Sequence, residues 1–310
     1  MKRPVVAESM TAQSLLQPLV HRQPAIARAW VREQIVAGRR VALVPTMGAL
    51  HQGHLQLVRR ARELADCVVV TIFVNPTQFA PHEDFQRYPR TFEQDLSLLA
   101  NEGVALVFAP DRGEMYGERF STFVSPPAVA QPLEGHFRPD HFRGVCTVVL
   151  KLFNIIPAHV AVFGQKDYQQ ARVIADMTLD LDLPITLEVA PTVRQPDGLA
   201  LSSRNRYLSD EQRSRALAIV AALRQAAQQH GAGERDAATL EAAMRNTLDQ
   251  AGIDRIDYAA VVDPVTLQPF AQPISDTLPA ADPVAVALIA AHVGNTRLID
   301  NQLLYRPSAR

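Results

Sequence analysis

The sequence has little cysteine, little glycine and no excess of charge. Its two cysteines, Cys67 and Cys146, stand in apolar surroundings without CxxC spacing. That excludes a disulfide framework and a thiolate zinc site, and it fits a reducing compartment. Glycine numbers 14 against 22 prolines, and neither GxxxxGK[ST] nor GxGxxG occurs, so the familiar glycine-rich phosphate loops are absent. Lys and Arg total 31 against 32 Asp and Glu, a net charge of −1 that excludes a globally basic nucleic-acid binder. The longest apolar runs, residues 67–74 and 283–293, are too short for a membrane span, and His292 interrupts the second. The basic start Met1-Lys2-Arg3 leads into no apolar stretch, so no secretory signal is expected.

What is present is a chain of 310 residues, 47% hydrophobic and 20% charged, which suits one large or two modest globular domains. Residues 1–23 read as an arm or added element without chemistry. Residues 25–37 read as a helix ending at Gly38. Residues 41–44 read as a strand, and Leu57, Val58, Ala61, Leu64 and Ala65 then recur at helical spacing. The continuous β-branched run at 68–74 marks a strand buried on both faces. Strand–helix–strand over about 30 residues implies a parallel pair with a right-handed crossover.

The alternation continues. Thr91 and Gln94 carry a capping-box signal for a helix with Phe92, Leu96 and Leu99 inward. Strands follow at 105–109, 159–163 and 185–190, with helices at 143–156 and 167–179. This predicts a doubly wound parallel α/β sheet over residues 24–190. Beyond Pro191 the order changes. A helix capped by Ser209 and Gln212, a second over 236–250, and strands at 256–262, 284–290 and 297–304 predict a smaller C-terminal α+β domain, residues 191–310.

In an open α/β sheet, ligands sit beyond the carboxyl ends of the strands. The first such turn holds Pro45-Thr46-Met47-Gly48-Ala49-Leu50-His51-Gln52-Gly53-His54. His51 and His54 lie three apart at a helix start, where free N–H groups favour an anion. Gly48 and Gly53 would let a ligand approach the backbone. Two imidazoles plus helix amides suit a triphosphate. On spacing alone the pair also reads as a helix cap and a packed turn. A zinc pair fits less well, since HExxH and a third ligand are missing.

His-x-Gly-His in this place resembles the HIGH signature of the adenylyl-transferring Rossmann superfamily. The longer string from Val44 to His54 resembles the pantoate–β-alanine ligases, or pantothenate synthetases. Further matches follow in order: Phe73-Val74-Asn75-Pro76-Thr77-Gln78-Phe79, Tyr88-Pro89-Arg90-Thr91 and His141-Phe142-Arg143-Gly144-Val145. Gly164-Gln165-Lys166-Asp167-Tyr168-Gln169-Gln170, Ser202-Ser203-Arg204-Asn205 and Arg297-Leu298-Ile299-Asp300-Asn301 complete the series. The resemblance departs at residues 1–23, in the Pro-rich stretch 115–131, and at Asp140, where a glycine is expected.

The resemblance implies a Rossmann-like fold and ATP-dependent joining of pantoate to β-alanine through pantoyl adenylate, with release of pyrophosphate and AMP. A carboxylate is already ionised near neutral pH, so activation calls for alignment and phosphate stabilisation rather than a strong base. The implied catalytic residues are His54, as proton donor, with His51 and Lys166. The implied ATP site comprises Met47, Gly48, Ala49, Leu50, His51, Gln52, Gly53, His54, Gly164, Gln165, Lys166, Asp167, Val193, Leu201, Ser202, Ser203 and Arg204. Gln78 and Gln170 would hold pantoate, with Asn75 near phosphates or the second substrate and Tyr88 on a covering loop or in the core. Mg²⁺ is expected to come with ATP, and no protein ligand is assigned to it. A cytoplasmic homodimer without nucleic-acid or membrane partners is implied. Without the resemblance, Lys166-Asp167 reads as a solvated helix start, the two glutamines as surface residues, and Ser202-Ser203-Arg204 as a polar turn. The alternatives are a nucleotidyltransferase of the same superfamily and a nucleotide-sensing module without turnover.

Overall fold

The computed structural model describes residues 17–81, 83–275, 279 and 281–306. Six parallel strands form the main sheet: β1 (Leu19–His21), β2 (Val41–Thr46), β3 (Cys67–Ile72), β4 (Leu106–Phe108), β5 (Val160–Gly164) and β6 (Thr186–Ala190). Their order across the sheet is β1-β4-β3-β2-β5-β6. Strand β1 lies in the stretch expected to be an arm. Instead it pairs with β4 in register Leu19–Leu106 and forms one sheet edge. Residues 1–16 of that stretch lie outside the described residues.

The helices between these strands are α1 (Pro24–Val36), α2 (Gln52–Leu64), α3 (Phe92–Asn101), α4 (Arg112–Met115), α5 (Glu134–Phe137), α6 (His141–Ile155) and α7 (Tyr168–Asp180). The pleat sends alternate strand residues to opposite layers. Leu43, Val69, Leu106, Phe108 and Ala161 pack against α1, α6 and α7. Ala42, Val44, Val68, Val70 and Val162 pack against α2 and α3. Both faces are covered, which is why these strands read as unbroken apolar runs rather than alternating ones.

Helices α8 (Asp210–Gly231) and α9 (Ala237–Gln250) lead to an antiparallel sheet of β7 (Arg255–Val262), β8 (Pro283–Val293) and β9 (Thr296–Tyr305). Ser209 and Gln212 form the expected reciprocal cap on α8. In β8, Ala285, Ala287, Ile289 and Ala291 face α8 and α9. Val286, Leu288 and Ala290 join the same core as α6 and α7. Through that face of β8 the C-terminal unit packs into the core of the first.

One helix is seated directly on a loop of the site. A Cβ added at Gly144 in α6 would lie 2.2 Å from the Thr77 carbonyl oxygen and 2.7 Å from the Gln78 nitrogen. Gly144→Ala is expected to cost the upper end of the roughly 1–3 kcal/mol of overpacking and to displace Gln78. Denaturant midpoints of parent and variant check this, and equal midpoints would contradict it.

Candidate active site

Strand β2 neighbours β3 on one side and β5 on the other, so the chain reverses its direction of winding at the β2–β5 pair. The crevice beyond their carboxyl ends is where such sheets bind ligands. A cavity of about 860 Å³ opens there, between the main sheet and the C-terminal unit. The turn after β2 supplies Met47, His51, Gly53 and His54 to its wall, and the turn after β5 supplies Gly164, Lys166 and Asp167. Asn75, Gln78, Tyr88, Gln170, Val193, Leu201, Ser202, Ser203 and Arg204 also line it. The chain thus brings together most of the residues singled out from sequence.

His51 caps α2. Its Nδ1 accepts the Gly53 N–H at 3.1 Å, and the His51 N–H donates to His54 Nδ1 at 3.3 Å. The rings stack with centroids 4.1 Å apart. Gly53 is required because a Cβ there would lie 2.9 Å from the His51 ring. Burial, then the charges of Lys166 and Arg206, push the His51 imidazole down to about 4. Burial, then His51 and Lys166, push His54 down to about 3. Both rings are neutral at pH 7. With Nδ1 accepting, each carries its proton on Nε2. In the ligand-free protein His54 thus presents a neutral Nε2–H rather than an imidazolium.

The amides of this turn are not open to a ligand. Gly48 and Ala49 have φ of 80° and 52°. The Gly48 N–H donates to Thr46 Oγ1, and those of Ala49 and Leu50 donate to the two carboxylate oxygens of Asp95, each at 2.9 Å. Gly48, Ala49, Leu50 and Gln52 do not line the cavity. Gln165 also turns away, donating to Asn301 Oδ1 at 3.1 Å. Asn301 Nδ2 in turn donates to the carbonyls of Gln165 and Lys166, so β9 braces the lysine loop.

Asn75 lines the cavity wall with its side chain engaged within the protein. Its buried amide donates to Gln78 Oε1 at 3.0 Å and to the Gly144 carbonyl, and accepts from Thr77 and the Tyr116 hydroxyl. Tyr116 anchors the Pro-rich stretch whose shape the sequence left open. The Gln78 carbonyl accepts from Arg138 and from His141 Nδ1 at 2.9 Å. Burial, then Arg138, lowers His141 to about 4, so it too is neutral. Gln169 holds the Glu134 loop by three hydrogen bonds, while its neighbour Gln170 faces the cavity. Asp140 precedes α6 with φ −94°, a conformation that requires no glycine.

Arg204 is already engaged. Its Nε and Nη2 donate to Asp84 at 2.9 and 2.8 Å, and it lies over the Tyr88 ring. Ser202 caps the same turn through the Arg204 N–H. Tyr88 is buried and hydrogen-bonded to Ser203. The carbonyl of Val193 accepts the Leu201 amide. Lys166 Nζ lies 3.7 Å from an Asp167 oxygen.

Sequence reading missed Asp84, Asp95, Glu134 and Arg138. Asp95 did leave a signal. It shares the inward face of α3 with Phe92 and Leu99, an acid on an apolar stripe. Thr91, expected to cap α3, donates to Asp95 Oδ1 at 3.1 Å instead.

A family model described as pantoate-beta-alanine ligase matches residues 19–303. The chain belongs to the pantoate–β-alanine ligase family. As a member it is a ligase. Pantothenate synthetase 1 of Bradyrhizobium diazoefficiens is 54% identical over 268 residues, 86% of this chain and 92% of that protein. The pantothenate synthetase of Thermotoga neapolitana is 51% identical over 264 residues, 85% of this chain and 91% of that one. Among solved structures, pantothenate synthetase from Thermus thermophilus superposes with a TM-score of 0.85 at 42% identity, covering 93% of this chain and 100% of its own. A pantoate-beta-alanine ligase from Francisella tularensis, complexed with beta-gamma ATP and beta-alanine, gives 0.75 at 32% identity over 92% and 97%. The family match begins at Leu19, the first residue of β1, so this edge strand belongs to the matched region.

Proposed function

We propose that this chain joins pantoate to β-alanine in two steps driven by ATP. In the first, a pantoate carboxylate oxygen bonds to the α-phosphorus of ATP as the bond to pyrophosphate breaks, giving pantoyl adenylate. In the second, the β-alanine amine attacks the acyl carbon, AMP leaves and pantothenate forms. The carrying observation is the convergence of two neutral imidazoles and Lys166 on the crevice between β2 and β5. Neutral Nε2–H donors and an ammonium suit charge building on phosphate oxygens, and in-line attack by a carboxylate needs no base.

In this reading His51, His54 and Lys166 hold the phosphates. Ser202, Ser203 and Arg204 join them once the nucleotide competes Asp84 away from the guanidinium. Met47, Val193 and Leu201 border the nucleoside, with Gly164 and Asp167 on its ribose side. Gln78 and Gln170 receive the pantoate hydroxyls, since an amide offers both donor and acceptor. Asn75 and Tyr88 hold the wall behind them. Among the described residues no group of three or more His, Cys, Asp or Glu side chains is placed to hold a metal, and Mg²⁺ is assigned to the ATP phosphates themselves. A cytoplasmic homodimer is part of the proposal. Two buried free thiols fit that setting, and no helix among the described residues is long and apolar enough to cross a membrane.

The test incubates the protein with ATP, Mg²⁺ and pantoate, with and without β-alanine. Pantothenate and AMP in equal amounts, with pyrophosphate, are expected when both substrates are present. ADP as product, or AMP independent of pantoate, would overturn the reading.

A further inference from the structure

The turn that carries the two histidines is strained and is held from outside. Gly48 and Ala49 are consecutive residues in the left-handed region, and for an alanine that conformation costs about 1–2 kcal/mol. Successive amides in such a turn point into one concavity, the geometry of an anion site. Here the anion is internal. Asp95 is 1% exposed and reaches in from α3, accepting Ala49 N–H on Oδ2 and Leu50 N–H on Oδ1. Thr91 donates to the same carboxylate. A Cβ at Gly48 would lie 3.1 Å from Asp95 Oδ2 and 3.0 Å from Ile72, so the turn is clamped between α3 and β3.

We infer that Asp95 is a positioning residue for the ligase reaction: its carboxylate fixes the Gly48–Ala49–Leu50 turn and thereby aims His51 and His54 into the cavity. The inference rests on the proposed function for its kinetic consequence. The structural part stands without it. Because the carboxylate fills the anion site, the turn serves as scaffold, and phosphate recognition passes to side chains. An asparagine at the same place has one acceptor oxygen, and its NH₂ group would face an N–H, so Asp95→Asn retains only one of the two amides. Misplacing a reacting group by about 1 Å costs on the order of 10²-fold in rate.

Two readouts are needed. The first is ring resonances of the histidines in the ligand-free protein. In Asp95→Asn those of His51 and His54 are expected to shift, while that of His141, on another element, stays. The second is kinetics. In Asp95→Asn, kcat is expected to fall on the order of 10²-fold, KM for ATP to rise, and KM for pantoate to stay within about twofold. Adding Ala49→Gly removes the cost of the left-handed alanine and is expected to restore part of kcat, which a merely structural role for Asp95 does not predict. If Asp95→Asn fails to fold, Thr91→Val, which removes one donor from the carboxylate, takes its place with a smaller loss of the same pattern. Unmoved His51 and His54 resonances in a folded variant would overturn the inference, as would unchanged kcat. A parent enzyme that makes no pantothenate, with the resonances shifting as expected, would overturn the proposed reaction and leave the turn's anchor standing.

Discussion

His54→Ala is expected to lower kcat on the order of 10²–10³-fold while the protein stays folded, the usual loss when one preorganised donor to a developing oxyanion is removed. The ring lines the cavity, and its Nδ1 is spent on the His51 N–H. What alanine removes is the Nε2–H donor. Since burial and nearby charge hold this imidazole at about 3, it is already neutral throughout the range in which an ordinary histidine titrates. Two consequences separate a donor from an acid. His54→Gln, which keeps a neutral N–H, is expected to recover part of the loss. The profile of kcat/KM for ATP, which reports the free enzyme, is expected to show no limb near pH 6.5 from this pair. A fall in rate as pH rises through 6.5, abolished by His54→Gln, would make His54 a general acid after all.

Arg297→Ala is expected to cost about 3–5 kcal/mol of stability, because it leaves buried carboxylates without their main partner. Arg297 on β9 donates from both terminal nitrogens to Glu134 at 2.8 and 2.6 Å, and from Nε to Asp257 on β7 at 2.7 Å. The Glu134 and Asp257 side chains are 8% and 3% exposed. Burial alone would raise the Glu134 carboxyl. The bonds and charge of Arg297, with the Tyr258 hydroxyl and Arg138, outweigh it and bring the group down to about 2. The sign follows from linkage. The folded value lies below the unfolded one near 4.5, so this stabilisation is complete above pH 4.5 and is lost as pH falls from there toward 2. Without Arg297 the Glu134 carboxyl titrates higher and its part of that stabilisation vanishes. Urea midpoints for parent and variant at pH 7 and pH 4 check this. A gap between the two proteins that does not narrow at the lower pH would show that Glu134 is not held by Arg297.

These networks mark where the sequence was legible and where it was not. The four central strands, β2 to β5, could be read because each is buried on both faces and leaves a run such as Cys67–Ile72. Strand β1 could not. It is three residues at a sheet edge, with Leu19 and Val20 exposed, and it has no burial pattern to leave. His51 and His54 stood out because they follow the end of the first strand, where the fold itself predicts ligands, whereas Lys166, Gln78 and Gln170 were legible only through the family resemblance; all five line the cavity. The expectation that the Gly48–Leu50 amides face a ligand failed for a long-range reason. The competing acceptor, Asp95, is 45 to 46 residues away. Arg204 and Asp84 are 120 residues apart, and no local pattern links them. Thr91 and Gln94 matched the capping rule, but the Thr91 hydroxyl donates instead to Asp95, four residues on in the same helix.

The brace on the lysine loop has a consequence for how the site comes into being. Asn301 holds the carbonyls of Gln165 and Lys166 across 136 and 135 residues of chain. On the ribosome, the six strands of the main sheet have all been synthesised before β9 exists. The sheet can assemble first, with its two histidines in place, while the lysine loop stays unbraced until the hairpin of β8 and β9 docks. The brace on the Lys166 loop is thus acquired late in synthesis, after every strand of the main sheet has been made.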